Sequence, residues 1–544
     1  MVIPVLGQSA SGWGMGRVEG EISMRILGVV TCALLFGAIV DGQAPVAESA
    51  ACERLAASLK LPNTAITSAQ PVAAGQFTPP AAPAGRGGGA GAAQAFADLP
   101  AFCRVAATIK PSSDSDIKAE IWMPLSGWNG KFEQVGNGGW AGTIQYAPLA
   151  AALRRGYAAA STDTGHVGGS ASFALGHPDK LIDFGYRAVH ETAVQGKATT
   201  AAFYGNAPRL SYFNGCSNGG RQGFQEAQRF PQDFDGIIAG APAYTWTDMS
   251  LKLVSVAQAT LNDPASMIPP SKYPVLHQAV LDACDALDGV KDGLVNDPTR
   301  CHFDPNVTEC KGADGPGCLT RAQVEAAKRI YGALKDPKTG KEISPGLEPG
   351  SELLWAGQAA GPRPFGVSDD LFKYVVFQDP NWDFRTLDLA KHVELARKID
   401  GGTLSATSPN LKEFVGRGGK FLIYHGWADQ IVTSRTSVDY YKDVVRALGK
   451  SRADTSVRLF MVPGMAHCGG GEGPNTFDML AALEQWRENG TAPAQIVASH
   501  MTDGKVDRTR PLCPYPQIAQ FKGSGSTDQA ENFVCNAPAG TASR

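Results

Sequence analysis

The 544-residue sequence predicts an α/β fold: a mostly parallel sheet with helices on both faces, interrupted by a large inserted lid. Short apolar runs that read as buried strands alternate with helical stretches, the pattern of a parallel sheet covered on both sides. Several of these runs end in Gly-rich or polar turns, which fall at the carboxyl ends of strands, where such sheets bind ligands. From about Thr247 to Glu413 the rhythm breaks, leaving few strand-like runs, many Pro and Gly, and four cysteines.

The elements divide the chain at 1–44, 45–246, 247–415 and 416–544. In the first segment, Ile26 to Val40 is strongly apolar, with Arg25 before it and Gly42 and Ala44 after it. A membrane span needs about 20 residues, so this shorter run suits the h-region of a secretory signal, with Met24 a candidate true start. An uncleaved anchor is the competing reading. Pro71 to Ala97, rich in Ala, Gly and Pro, reads as a flexible surface loop that buries little. Strands are expected at Phe132–Val135, Tyr157–Ser161, Leu210–Asn214 and Gly236–Ala239, with helices at Arg187–Tyr204 and Arg221–Phe230. The lid fills 247–415, and the sheet resumes with Phe421–His425 and Val457–Val462.

Hydrophobic content of 43%, charged content of 19% and a net charge of -3 are those of an ordinary globular protein. Neither a basic run nor a basic amphipathic helix points to nucleic acid or to a membrane surface. Eleven cysteines are present, and Cys32 falls inside the apolar signal. The ten that remain fit a disulfide framework in an oxidising compartment. Local spacing suggests Cys52 with Cys103, Cys284 with Cys301, Cys310 with Cys318, and Cys513 with Cys535, although spacing alone does not fix connectivity. Cys216 and Cys468 are left. A metal-thiolate site would call for a Cys-x-x-Cys spacing, which does not occur.

The chemistry centres on Gly215-Cys216-Ser217-Asn218-Gly219, a Gly-x-Ser-x-Gly pentapeptide that places serine on a tight strand-to-helix turn. Such a serine needs a base to take its proton and an acid to orient the base, in the α/β-hydrolase order Ser, Asp, His. Asp429 follows the strand 421–425 and His467 follows the strand 457–462, so each stands where that order requires. His425 competes with His467 but lies inside a strand, ahead of Asp429. A meeting of Ser217 with His467 would also bring Cys216 and Cys468 near each other, within reach of a bond that staples the two loops. The oxyanion needs two donors: the Asn218 backbone N–H, and an N–H from Gly136-Asn137-Gly138-Gly139-Trp140, where Gly138 and Gly139 are equal candidates.

A second constellation is Asp285-Ala286-Leu287-Asp288-Gly289-Val290-Lys291-Asp292-Gly293-Leu294. Three carboxylates in eight residues repel one another unless a cation lies among them, and oxygen donors suit Ca²⁺. The loop is too short for an EF-hand and lacks its terminal Glu. A solvated acidic turn is the alternative.

Taken together, Gly215-Cys216-Ser217-Asn218-Gly219-Gly220-Arg221-Gln222, Gly426-Trp427-Ala428-Asp429 and His467-Cys468 resemble the tannase and feruloyl esterase family, which includes mono(2-hydroxyethyl) terephthalate hydrolases. The resemblance covers nearly all of the mature chain. It implies an α/β-hydrolase core, a bond between Cys216 and Cys468 within a five-disulfide pattern, and a structural calcium in the lid. The calcium ligands it implies are Asp285, Asp288 and Asp292 with the carbonyls of Val290 and Leu294. The activity it implies is that of a secreted serine carboxylesterase cleaving esters of aromatic acids, feruloyl or galloyl, through an acyl-enzyme intermediate. A terephthalate monoester hydrolase is the variant reading, which a lid cation would favour. A calcium-stabilised binding protein on a hydrolase scaffold is a third, opposed by the intact Ser217, Asp429 and His467. Trp246, Phe365, Trp382, Phe384 and Arg385 are available in the lid to meet an aromatic acyl group.

Overall fold

The strands run in chain order β1 (Thr64–Val72), β2 (Phe102–Ile109), β3 (Ile117–Pro124), β4 (Lys131–Val135), β5 (Ala158–Thr162), β6 (Leu210–Cys216) and β7 (Gly236–Gly240). After them come a small lid hairpin, β8 (Leu334–Lys335) and β9 (Glu342–Ser344), then β10 (Lys420–Gly426) and β11 (Val457–Val462). The computed structural model describes residues 43–80, 95–357, 361 and 363–538. The expected signal over 26–40 lies outside them.

Nine strands join in the order β1-β2-β3-β5-β4-β6-β7-β10-β11. The β5-β4-β6-β7-β10-β11 portion is parallel throughout. The β1-β2-β3-β5 edge is antiparallel. Successive residues of the inner strands point to opposite faces, and both faces are apolar. Phe213, Ile237, Phe421 and Leu459 pack on one side with Val189, Phe224 and Val444 from helices 188–204, 218–229 and 435–448. Their neighbours Tyr212, Ile238, Leu422 and Phe460 pack on the other with Leu149, Leu153 and Leu483 from helices 146–154 and 479–489. Burial on both faces is why these strands read as near-continuous apolar runs.

The inserted segment 247–415, the expected lid, is built on helices Trp246–Leu261, Tyr273–Cys284, Arg321–Tyr331 and Leu389–Asp400, around one apolar cluster of its own and a second shared with Trp140, Phe184 and Val432 of the core. From Pro45 onward the chain forms one compact unit. Two further hairpins close the chain, β12 (Ile496–Thr502) with β13 (Lys505–Leu512), and β14 (Ile518–Phe521) with β15 (Phe533–Asn536).

Two expectations are corrected. The helix expected from Arg221 begins at Asn218, directly after Ser217. The segment 71–97 is not a plain surface loop over its described part: Pro71 and Val72 belong to β1, and Phe77 and Phe96 are buried. Phe77 meets the Trp122 ring at 4.5 Å and Phe96 at 5.2 Å, edge to face. The run's Ala, Gly and Pro content masked two aromatic anchors near its ends, while most of the Gly-rich stretch, 81–94, lies outside the described residues. All five expected cysteine pairings are present, Cys216–Cys468 with Cα atoms 5.9 Å apart.

Candidate active site

Strand β6 ends at Cys216 and the next helix starts at Asn218, leaving Ser217 alone to make the turn. Its backbone lies at φ 65°, ψ -120°, a strained region for a residue with a side chain. Hydrogen bonds hold it there: the Ser217 N–H donates to Gly240 O at 2.9 Å, and Ser217 O accepts from Ala243 N at 3.1 Å. The flanking glycines are needed for close approach, since a Cβ on Gly215 would fall 2.7 Å from the Gly219 carbonyl.

His467 Nε2 stands 2.8 Å from Ser217 Oγ, and its Nδ1 stands 2.7 Å from Asp429 Oδ2. Asp429 Oδ1 accepts the backbone N–H groups of Ile431 and Val432, at 2.8 and 2.9 Å. Burial alone would raise the Asp429 carboxyl, but His467 and His425 hold it well below the usual range. The competitor His425 is therefore a supporting residue: its Nε2 lies 3.0 Å from Asp429 Oδ2 and its Nδ1 2.7 Å from Ser437 Oγ.

Asn218 occupies the first position of its helix, where a backbone N–H has no intrahelical acceptor. Across from it, the loop after β4 is pinned by Asn137. The Asn137 N–H donates to Gln222 Oε1 at 3.0 Å, and its side chain donates to Thr162 O at 2.8 Å. Gly138 and Gly139 follow on the cavity wall, and a Cβ on Gly138 would meet nothing within 4 Å.

Arg221 was quoted in the motif without a role. Its guanidinium is fully buried, donates from Nε to Asn218 Oδ1 at 2.7 Å, and bonds the carbonyls of Phe184, Gly185 and Leu404. Burial lowers its pKa to about 9. It ties the turn at Ser217 to the segment before helix 188–204 and to the end of the inserted segment. A cation one helical turn past the nucleophile was the available sequence signal.

Ser217 and His467 open into a cavity of about 630 Å³. Trp246 and Phe365 line it, whereas Trp382 and Phe384 pack within the lid and Arg385 pairs with Asp383. None of the described lining residues is Lys or Arg.

The acidic loop is arranged differently from a free turn. Asp285 accepts the N–H groups of Asp292 and Gly293, at 3.1 and 3.0 Å, and Asp288 accepts the Val290 N–H at 3.0 Å. Asp292 pairs with buried Arg510. Burial and the Asp292 charge push the Asp288 carboxyl up. Among the described residues, the clusters whose ligand atoms gather within 4.8 Å are Cys310–Asp314–Cys318 and His190–Glu226–Asp233, so the three loop aspartates stand less tightly gathered. The donor chemistry nevertheless fits calcium: buried carboxylates of Asp285 and Asp292 beside Asp288, whose burial and repulsion by Asp292 the Val290 N–H, Arg510 and Asn296 offset only in part.

The model of a family described as tannase and feruloyl esterase matches residues 103–536. An uncharacterized esterase of Xanthomonas campestris pv. campestris is 41% identical, over 90% of this chain and 91% of that one. A probable feruloyl esterase B-1 of Aspergillus fumigatus is 36% identical, over 80% and 85% respectively. The crystal structure of feruloyl esterase B from Aspergillus oryzae superposes with a TM-score of 0.84 at 32% identity, covering 90% of this chain and all of that one.

Proposed function

The chain belongs to the tannase and feruloyl esterase family of carboxylic ester hydrolases, and we propose that it cleaves esters of aromatic acids, feruloyl or galloyl, by a serine mechanism. The observation that carries this reading is the unbroken hydrogen-bonded line Ser217–His467–Asp429 at the mouth of an aromatic-lined cavity.

In this mechanism His467 Nε2 takes the Ser217 proton as Oγ attacks the ester carbon, and Asp429 holds the imidazole in the required tautomer. The Asn218 N–H and that of Gly138 or Gly139 receive the developing oxyanion. Collapse expels the alcohol, protonated by His467, and leaves an acyl-Ser217 ester that water hydrolyses with the same base. The apolar lid wall, with Trp246, Met249, Phe365 and Val367, suits a flat aromatic acid. A terephthalate monoester carries a second, free carboxylate, and the described wall offers it no cation.

Two further parts belong to the proposal. Asp285, Asp288 and Asp292 with the Val290 and Leu294 carbonyls would hold a structural Ca²⁺, which neutralises the loop and takes no part in ester cleavage. Five disulfides support residence in an oxidising compartment, reached through the N-terminal signal.

The test is hydrolysis of methyl ferulate, methyl gallate and mono(2-hydroxyethyl) terephthalate. Release of ferulate or gallate with a pre-steady-state burst of methanol is expected. Turnover of the terephthalate ester alone would transfer the assignment to that variant, and no turnover of any would leave a binding protein on a hydrolase scaffold.

A further inference from the structure

The cavity at Ser217 has two unlike walls. Toward the lid it is apolar, with Trp246, Met249, Phe365, Val367 and Val432. Toward the sheet it carries Glu133 from β4, Asn214 from β6, Tyr424 from β10, and Gln145. A second cavity of about 230 Å³ shares Glu133, Asn214 and Tyr424 with the first and continues to Arg155 and Asp478. These two form an ion pair at 2.9 Å and are one-third and more than half exposed, so the space leads from the nucleophile toward solvent.

Glu133 stands where the two cavities meet. It is 3% exposed, and its Oε1 accepts from Asn214 Nδ2 at 3.2 Å. Its Oε2 is buried with no hydrogen-bond partner. A buried carboxyl oxygen left without a partner is costly, and a ligand that supplies the missing donor recovers that cost. Burial, only partly offset by Asn214 and the Arg155 charge, lifts the carboxyl to about 7. Both of its protonation states accept an O–H, and the neutral acid can also donate to an oxygen.

We propose that Glu133 is a specificity-determining residue that binds a hydroxyl on the alcohol half of the ester. The inference rests on the aromatic-ester reading above. With the ester carbon at Ser217 and the ring against the apolar lid wall, the alcohol half runs along the sheet-side wall. A polyol there satisfies Oε2 and extends into the second cavity, whereas an alkyl chain leaves that oxygen unpaired.

The experiment compares propyl ferulate with 2,3-dihydroxypropyl ferulate, which share acid and chain length and differ by two hydroxyls. The wild-type enzyme is expected to prefer the dihydroxypropyl ester. That preference, as the ratio of the two kcat/KM values, should fall about tenfold in Glu133→Leu, mainly through KM. Glu133→Gln, which keeps an acceptor, should restore most of it, and thermal melts should report both variants folded. Equal wild-type rates on the two esters would overturn the inference alone, and so would an unchanged ratio in Glu133→Leu. A Glu133→Leu loss that instead tracks the ring hydroxyl, read from methyl ferulate against methyl 3,4-dimethoxycinnamate, would overturn it by moving the contact to the acid half. Failure of the wild type to cleave either feruloyl ester would move the same comparison to propyl gallate and 2,3-dihydroxypropyl gallate, and failure on all four esters would overturn the reading beneath it as well.

Discussion

Two loops of this chain sit beside a disulfide and carry buried aspartate, yet they settle their charge in different ways. At the nucleophile, Cys216–Cys468 bridges residues 252 apart in sequence, and Asp429 is surrounded by two histidines and two backbone N–H groups. Every oxygen of that carboxylate is used. In the lid, Cys284–Cys301 spans only 17 residues. Asp285 leans on backbone N–H groups and Asp292 on Arg510, while the Asp288 carboxyl is pushed up by burial and by Asp292. The first loop is electrostatically complete, and the second keeps one carboxyl pushed up, which is where the proposed calcium would act. Completeness suits a site that must be ready before substrate arrives, and a deficit suits one that trades charge for stability.

The largest effect should come from the complete loop. Ser217→Ala is expected to cut kcat by about a million-fold, since members of such a unit act together, with the circular dichroism spectrum unchanged. Retention of more than a few per cent of activity would remove Ser217 from the mechanism.

Next is the staple. Cys216→Ala with Cys468→Ala should lower kcat about a hundredfold, because misplacing a catalytic group by about 1 Å costs that much. The chain-entropy model adds a stability loss on the order of 4–5 kcal/mol. Cys513→Ala with Cys535→Ala, neither of which lines the Ser217 cavity, should lose stability with kcat kept within about threefold. Similar kcat losses in the two double variants would erase the distinction between catalytic and structural bonds.

The incomplete loop should answer only in stability. Chelation should lower the Tm, by the equivalent of about 2.7 kcal/mol if calcium stood at a hundredfold excess over its Kd. Asp288→Ala should abolish that response and leave kcat at 25 °C nearly unaltered. A melting curve indifferent to EDTA, with no calcium found by metal analysis, would dismiss the ion.

The smallest effect concerns a contact between the two regions. His277 in the lid hydrogen-bonds Glu352 at 2.8 Å and forms an ion pair at 3.0 Å with Glu472, four residues past Cys468. Burial opposes its charge, but the two carboxylates raise its pKa to about 9. A raised histidine stabilises fully below its unfolded value of about 6.5 and loses that contribution as pH rises through about 9. The Tm of the wild type should therefore decline between pH 7 and 10, and His277→Gln should flatten the decline by on the order of 1–2 °C. Parallel curves for the two proteins would show that the strap carries no charge.

Much of this comparison was legible in the sequence, for reasons specific to each element. The parallel strands were readable because both faces are buried, so runs such as Phe421–Tyr424 are continuous. Strands β1, β2 and β3 are not among the expected strands: β1 lies at the sheet edge, where exposed Ala65, Thr67 and Gln70 break the apolar signal. The positions of Ser217, Asp429 and His467 followed from their places after successive strands. Partners reached only through folding were invisible: Arg510 for Asp292, Glu472 for His277, and Glu133 Oε2, whose significance is that nothing meets it.

The order of the cysteines also has a consequence for biogenesis. Counted along the ten described cysteines, Cys284–Cys301, Cys310–Cys318, Cys52–Cys103 and Cys513–Cys535 each join nearest neighbours, so each can close as soon as its second thiol emerges. Cys216 must instead remain unpaired while four lid cysteines pass it, and then find Cys468. A chain oxidised strictly in the order of its appearance would join Cys216 to Cys284 and displace every lid bond by one partner. Thiol–disulfide exchange, which takes minutes to hours when uncatalysed, is then the step that separates a trapped isomer from an enzyme. Cys216–Cys468 is thus the one bond of the five whose connectivity departs from the order of the cysteines along the chain.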